Sequence, residues 1–275
     1  MEIGRANDAL KQVTIARQEL GDCPSADFAQ ALVALTRAGA LYHLDRGLEA
    51  IFDIRHAAEI FARSEDLTLY TKARITEGAI LYQAGRLNET LQIWSKLASE
   101  RIADRPDATT AALLNNLALC FRELRDFRSS IKFYERAAAM YEQLRDHGNQ
   151  TRSRWGSIKL RIAMGDLAGS LPALSRIALA FSRLGMKSEV WNVRLDQVEV
   201  LVALGEWVRA RRIATKLVPS FENAGMTKRA MVALGYLRES VNSRTTTVAA
   251  VQYVRDYVTH ESQSVVFTPP PRSIE

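Results

Sequence analysis

Histidine and cysteine are the side chains that most often bind metal ions or act as nucleophiles, and this sequence contains few of them. It has four histidines and two cysteines. No HExxH motif, CxxC pair or DxDxDG loop places such residues at metal-ligand spacing. We therefore expect no metal site and no cofactor. The histidines are His43, His56, His147 and His260, and the cysteines are Cys23 and Cys120.

Paired carboxylates and glycine-rich turns are the next residue types that could do chemistry. Asp196 and Glu199 lie three residues apart, so a helix would place both on one face. They could point into a groove or, as surface pairs usually do, remain solvated. Residues 165–170 contain two glycines but lack the GxxxxGK[ST] and GxGxxG phosphate-binding patterns. With no GxSxG nucleophile turn either, we assign no catalytic residue and predict that the protein is not an enzyme.

The elements that must position any functional side chain are predicted to be helices. The 275 residues are 47% hydrophobic and 25% charged, which is usual for a folded chain. Only 14 glycines and 7 prolines are present, and alanine, leucine, arginine and glutamate dominate. This composition favours helix over the turn-rich arrangement of a β protein.

An internal repeat of 40 residues runs along most of the chain. A column of small residues recurs at this offset, and apolar residues follow it at the spacing of one stripe of an amphipathic helix. A second apolar column lies upstream. Each unit is therefore predicted to be two helices of roughly 16 to 20 residues. The small column is Ala50, Thr90, Ser130, Ser170, Ala210 and Ala250.

A turn column separates the two helices of each unit. In three units it is glycine, which readily adopts the left-handed conformation that ends a helix. Arg125 is predicted to make the same turn without glycine, unless the turn differs there. The column reads Asp45, Gly85, Arg125, Gly165, Gly205 and Thr245.

The third unit resembles the tetratricopeptide repeat (TPR) family. Residues 114–121 match the large, large, small, aromatic pattern of that family's first helix. Ser130, Tyr134 and Ala137 match the small, aromatic, alanine pattern of its second helix. The 40-residue period exceeds the family's commonest period of about 34 and resembles the extended variant of bacterial peptide-sensing regulators.

The resemblance implies an all-α fold, a right-handed α-solenoid (superhelix) of about six helix-turn-helix repeats plus an N-terminal helix. Residues 23–260 would hold the six hairpins, each burying the apolar face of its neighbour. Residues 1–22 would form a helix that either caps the stack or is half of a repeat in a fragment of a longer protein. Residues 261–275 would be a Pro-rich tail that is disordered, packs on the last helices, or acts as a polyproline ligand.

The resemblance also implies a groove lined by the first helix of each unit. Family members use Asn, Lys and Arg there to bind peptide termini or acidic motifs. Asn115 could bond a peptide backbone through its amide, Arg152 could clamp a carboxylate, and Trp155 could equally be a core residue. The groove candidates are Tyr42, Lys72, Tyr82, Asn115, Arg122, Arg152, Trp155, Lys159 and Asn192.

The net charge of +6 is compatible with acidic partners. We expect a scaffold or adaptor that binds a protein or peptide. A more specific form of this hypothesis is that the chain is the sensing domain of a bacterial regulator. The alternatives are a nucleic-acid-binding accessory protein, which the lack of aromatic residues among the arginines disfavours, and self-assembly through the stack ends. The sequence has no signal-peptide core and no apolar run that could span a bilayer, so we expect a cytoplasmic protein without a membrane partner.

Overall fold

The computed structural model describes residues 2–20, 27–101, 107–222, 228–259 and 267–270. Within these ranges the regular structure is thirteen α-helices and one short 3-10 helix, Gly47–Ala50, with no strand. The helices are α1 (Glu2–Leu20), α2 (Asp27–His43), α3 (Ile51–Arg63), α4 (Leu67–Gln83), α5 (Leu87–Arg101), α6 (Ala108–Glu123), α7 (Phe127–Gln143), α8 (His147–Ala163), α9 (Leu167–Arg183), α10 (Lys187–Ala203), α11 (Trp207–Glu222), α12 (Lys228–Asn242) and α13 (Val248–Thr259).

The helices fall into two compact units, an N-terminal unit of residues 1–144 and a C-terminal unit of residues 145–275. In the N-terminal unit, α1 packs on α2. The three hairpins of this unit, α2–α3, α4–α5 and α6–α7, stack through the contacts of α3 with α4 and of α5 with α6. In the C-terminal unit, three further hairpins stack through α9 on α10 and α11 on α12. The predicted fold class, an all-α solenoid of helical hairpins after an N-terminal helix, is therefore confirmed for the described residues.

A left-handed residue ends most of the described helices, and it recurs every 20 residues from Asp45 to Gly85 and again from Arg125 to Gly205. At Gly85, for example, the following amide of Arg86 donates to the carbonyl of Leu81 at 2.8 Å, which closes the helix end. Arg125 adopts a φ of 62° without glycine, as its place in the repeat predicted. The residues with positive φ are Asp45, Glu65, Gly85, Arg125, Arg145, Gly165, Gly185, Gly205 and Arg244.

The last turn lies one residue earlier than the repeat predicted. Arg244, and not Thr245, has the positive φ, and the Thr245 amide donates to the carbonyl of Ser240 at 2.9 Å. The hydroxyl of Thr247 then accepts from the Ala250 amide at 3.1 Å and caps α13. The prediction of Thr245 as the turn residue was wrong because α12 ends at Asn242, one residue before the end that the 40-residue repeat gives.

The small-residue column lies where the two helices of a hairpin approach most closely. The hydroxyl of Ser130 donates to the carbonyl of Ala118 at 2.6 Å, and that of Thr90 to the carbonyl of Gly78 at 3.3 Å. A Cβ atom added at Gly78 would lie 2.1 Å from the indole nitrogen of Trp94. Larger residues would therefore separate the helices. All six members of the column, Ala50, Thr90, Ser130, Ser170, Ala210 and Ala250, are buried.

Helix α13 departs from the regular order of the stack. A regular second helix packs on its own first helix and on the next one, as α11 packs on α10 and α12. By contrast, α13 packs on α12 and returns to α10, so α10, α11, α12 and α13 form a closed ring. Val251, Val254 and Val258 of α13 are buried by this packing.

Part of the predicted tail packs on the last two helices. Phe267 is 7% exposed, and its ring centroid lies between 5.0 and 5.8 Å from the rings of three tyrosines. One of them, Tyr236, donates a hydrogen bond to the carbonyl of Pro270 at 3.3 Å. The three tyrosines are Tyr236, Tyr253 and Tyr257. Val265, Val266, Pro271 and residues 272–275 lie outside the described residues.

Candidate functional site

The nine predicted groove residues all lie on first helices of hairpins, and each of them retains exposed surface. The N-terminal unit contains five of them and the C-terminal unit four. Those that are mostly exposed are Lys72, Arg122, Arg152 and Lys159. Those that are half-buried are Tyr42, Tyr82, Asn115, Trp155 and Asn192.

In the N-terminal unit, two predicted residues meet through a third that was not predicted. The hydroxyl of Tyr82 donates to Glu123 Oε1 at 3.4 Å, and Arg122 Nη2 donates to the same oxygen at 2.7 Å. The Tyr82 ring stacks on Trp94 with the centroids 6.2 Å apart. Burial, and then the charge of Glu123, raises the pKa of Tyr82. Tyr82 is therefore a neutral hydrogen-bonding group on this face.

In the C-terminal unit, three predicted residues share one face of α8, because they are spaced by three and four positions. Arg152 forms an ion pair with Glu189 of α10. The indole Nε1 of Trp155 donates to Asp196 Oδ2 at 2.7 Å. The ammonium of Lys159 lies 4.8 Å from the centroid of the Trp155 ring, a cation–π contact. Arg152 and Trp155 thus join this face of α8 to α10, and Lys159 packs on Trp155.

The remaining predicted residues are not part of these two clusters. Tyr42 packs its ring edge-on to His43 at 5.3 Å. In the described part of the chain, no side-chain hydrogen bond or ion pair connects Lys72 or Asn192 to another predicted groove residue. Asn115 lies on α6 in the N-terminal unit, where it is half-buried. All nine groove positions, these four included, remain predictions.

A buried charge cluster joins α10 to α13. Arg255 Nη1 donates to Asp196 Oδ1 at 3.0 Å and to Glu199 Oε2 at 2.5 Å. Gln252 donates to Glu199 Oε1 at 2.6 Å. The side chains of Asp196 and Glu199 are only 3% and 12% exposed. The expectation that these two carboxylates are a solvated surface pair was therefore wrong.

The environment of Arg255 keeps its guanidinium charged. Burial alone disfavours that charge, but the carboxylates of Glu199 and Asp196 outweigh burial and raise the pKa of Arg255. The cluster therefore combines one cation with two carboxylates at the contact between α10 and α13. It fixes the position of α13 on the face that α10 shares with the predicted groove residues of α8.

A cleft of about 320 Å³ lies beside this cluster, between α8, α10 and α13. Its polar lining residues are Lys159, Asp196, Glu199, Gln252 and Arg255. Its apolar lining residues are Ile162, Ala163, Leu167, Val200, Ala203 and Val248.

The repeat contained a signal for one of the cleft residues that were not predicted. Glu199 lies 40 positions after Lys159, so both occupy the same place on successive first helices. The repeat position that made Lys159 a groove candidate therefore applies equally to Glu199. Arg255 carried no such signal, because it lies on a second helix and reaches the cleft only through the return of α13 to α10.

In the part of the chain that the structure describes, no group of three or more His, Cys, Asp or Glu residues is arranged to hold a metal ion. Of the described helices, none combines the length and apolar character needed to cross a bilayer. Cys23 and His260 lie outside the described residues.

Comparison with known proteins gives no sequence match but several structural ones. No family model and no curated protein matches the sequence. The apo form of RapI superposes with a TM-score of 0.62 at 11% identity, covering 87% of this chain and 91% of that chain. The TPR-like repeats of a kinesin-light-chain-like protein from Podosopora anserina give 0.60 at 11% identity, covering 75% of this chain and 100% of that chain.

A further match is the Rap conjugation gene regulator of the plasmid pLS20, in complex with the Phr* peptide. Its TM-score is 0.55 at 14% identity, and the match covers 97% of this chain and 72% of that chain. Identities this low show a shared fold. The chain is therefore a tetratricopeptide-like repeat protein in fold, and its structure resembles those of Rap proteins.

Proposed function

We propose that this protein is a scaffold that binds a protein or peptide along its first helices, and that it is the sensing domain of a bacterial regulator. The fold supports this proposal, since a structurally similar Rap regulator is found in complex with the Phr* peptide. Stacked hairpins leave one side of each first helix unused by the packing between repeats. That side is available to a partner.

The observation that carries the proposal is the contrast between two sets of residues. The small column that packs the hairpins together is buried, whereas all nine predicted groove residues keep exposed surface on first helices. The exposed set includes arginine, lysine, asparagine, tyrosine and tryptophan, which suit hydrogen bonding and stacking with a peptide. An accessible polar and aromatic face on a rigid stack favours recognition of a partner.

The proposal includes binding and no reaction. The buried carboxylates of the cleft are engaged by neighbouring side chains, since Asp196 accepts from Trp155 and Arg255, and Glu199 accepts from Arg255 and Gln252. Each group is thus held as part of the structure. This arrangement supports a structural role for the carboxylates more than a role in acid–base catalysis.

A random linear peptide library displayed on phage tests the proposal with the full chain at about 150 mM salt. We expect selected peptides to bind at least tenfold more weakly to Asn115→Ala/Arg152→Ala, which changes one groove candidate in each unit. The matched control is Arg211→Ala/Arg212→Ala, at two exposed arginines of α11, and it should bind as wild type does.

Two results would contradict the proposal. One is that no peptide is selected, or that the groove and control variants bind the selected peptides equally well. The other is that a single-stranded oligonucleotide binds under the same conditions with an affinity that falls steeply as salt increases, which would favour the nucleic-acid alternative.

A further inference from the structure

The charged side chains that line the C-terminal cleft differ in how many hydrogen-bond partners they have. Both oxygens of Asp196 have a donor, with Oδ1 bonded to Arg255 and Oδ2 to Trp155. Both oxygens of Glu199 have one as well, with Oε1 bonded to Gln252 and Oε2 to Arg255. A cationic ligand would have to displace these bonds. The carboxylates are therefore poorly suited to hold a basic group from outside.

Lys159 is the lining cation that remains open to a ligand. Its side chain is exposed, and among the described residues no carboxylate oxygen lies within 4.0 Å of its ammonium. The ammonium contacts the Trp155 ring at 4.8 Å, which leaves its three N–H donors able to bond another group. The unmatched charge of the cleft is thus positive.

The Trp155 ring gives Lys159 a fixed platform. The indole is held by its 2.7 Å bond to Asp196 and by edge-on packing against Phe181, with centroids 5.8 Å apart. A cation–π contact of this kind contributes about 0.5 to 1 kcal/mol at an exposed site. Lys159 is therefore positioned at the rim before a ligand arrives, which reduces the entropy lost on binding.

The rest of the cleft is apolar and small. Its apolar lining comes from Ile162 and Ala163 of α8, Val200 and Ala203 of α10, and Val248 of α13. A volume of about 320 Å³ is at the lower limit of small-molecule pockets, so it accommodates one or two side chains. Aliphatic walls of this type would take Leu, Ile or Val.

Building on the proposed function, we propose that this cleft binds a linear peptide segment in which an acidic side chain pairs with Lys159 and an adjacent aliphatic side chain packs against the apolar lining residues. The carboxylate comes from Asp or Glu within the peptide. Helix α13 forms one wall, so the segment enters between α8 and α13. The partner of the C-terminal unit is therefore an acidic–aliphatic segment.

Three fluorescein-labelled hexapeptide libraries, acetylated and amidated at their ends, test this inference by fluorescence anisotropy with the full chain. Their central pairs are Glu-Leu, Gln-Leu and Lys-Leu, and the flanking positions are random. We expect the Glu-Leu library to bind at least tenfold more tightly than the other two. Because the ends are blocked, a terminal carboxylate cannot produce the signal.

Two variants locate the site. Lys159→Glu should abolish binding of the Glu-Leu library and give binding of the Lys-Leu library, whereas Arg176→Glu, an exposed arginine on α9 of the same unit, should behave as wild type. Ala203→Leu, at an apolar lining residue, should fill part of the cleft and weaken binding of the Glu-Leu library by at least tenfold. Thermal unfolding followed by circular dichroism checks that each variant is folded.

The outcomes separate this inference from the broader proposal. If the Gln-Leu or Lys-Leu library binds wild type as tightly as the Glu-Leu library, or if Lys159→Glu and Arg176→Glu act alike, the inference is wrong. The inference is also wrong if none of the three libraries binds but peptides from the random phage library do bind. In that case the broader proposal of peptide binding is still supported. If no peptide of any library binds, both are wrong.

Discussion

The indole nitrogen of Trp155 donates a 2.7 Å hydrogen bond to Oδ2 of Asp196, and this bond joins α8 to α10. The other oxygen of the same carboxylate accepts from Arg255 of α13 at 3.0 Å. One carboxylate therefore connects three helices of the C-terminal unit. It supports the fold and also holds the ring on which Lys159 rests.

Arg255→Ala is expected to destabilise the protein by about 3 to 5 kcal/mol, because removing one partner of a buried ion pair leaves an uncompensated charge. The affected side chain is Asp196, which is 3% exposed. Arg211→Ala, at an exposed residue of α11, should change the free energy of unfolding by less than about 0.5 kcal/mol. Urea unfolding measures both.

A double-mutant cycle separates the ion pair from simple loss of packing. We expect Asp196→Asn/Arg255→Ala to cost clearly less than the sum of the two single changes, since the neutral amide no longer needs a cation. Additive costs would show that the two side chains do not interact, and the description of the cluster would then be incorrect.

Gly78→Ala and Gly39→Ala are expected to have opposite effects on stability. At Gly78 the new methyl group would lie 2.1 Å from the Trp94 indole nitrogen, so we expect a cost of about 1 to 3 kcal/mol from overpacking. At Gly39, also within a first helix, nothing lies within 4 Å, so alanine should stabilise by about 0.5 to 1 kcal/mol. Thermal unfolding of the two variants measures the difference. Equal effects would contradict the close approach of α4 and α5.

Arg125→Gly and Gly85→Ala exchange residue types at equivalent turns of consecutive hairpins. Arg125 has a φ of 62° and Gly85 a φ of 73°, both in the left-handed region. In this region a Cβ atom costs about 1 to 2 kcal/mol of steric strain in the folded state. Glycine avoids this strain, but it loses more conformational entropy on folding, which offsets part of the gain. We therefore expect Arg125→Gly to stabilise by about 0.5 to 1 kcal/mol and Gly85→Ala to destabilise by about 1 kcal/mol, in urea unfolding. A destabilised Arg125→Gly variant would argue against this turn.

The turns and the small column could be predicted from the sequence because they depend on local spacing. Each turn lies at a fixed distance from the apolar stripes on either side, so Gly85, Arg125 and Gly165 fall where the repeat placed them. Ser130 and Ala50 are buried for the same reason, since the small column is part of the helical period.

The cleft could not be predicted in this way because its partners are distant in the sequence. Asp196 and Arg255 are 59 positions apart and meet only because α13 returns to α10. The last turn, at Arg244, also lies one residue before the position that the 40-residue repeat gives. The sequence does not show that Arg255 lies beside Asp196 and Glu199, so their spacing indicated only that they share a helix face.

The thiol of Cys120 is expected to resist alkylation in the folded protein. It is buried, and burial, with a contribution from the charge of Glu123, raises its pKa to about 11. In a Cys23→Ser variant, iodoacetamide at about pH 8 should label Cys120 slowly when the protein is folded and rapidly in guanidinium, because the thiolate is the reactive form. Rapid labelling of the folded protein would contradict the burial of this thiol.

The same thiol makes stability depend on pH in the alkaline range. Its pKa in the fold is higher than the ordinary value of 9.0, so the folded state retains the proton that the unfolded state releases. The contribution to stability is complete below about pH 9 and is lost as the pH rises towards 11. Cys120→Ala should weaken this decline between pH 9 and 11, measured by urea unfolding.

Amide hydrogen exchange of the full chain, with and without a peptide selected from the random library, tests most directly whether first helices form the binding surface. We expect added protection on α2, α4, α6, α8 or α10, together with α13 if the peptide occupies the C-terminal cleft. Added protection confined to the second helices α3, α5, α7, α9 and α11 would contradict a groove on the first helices.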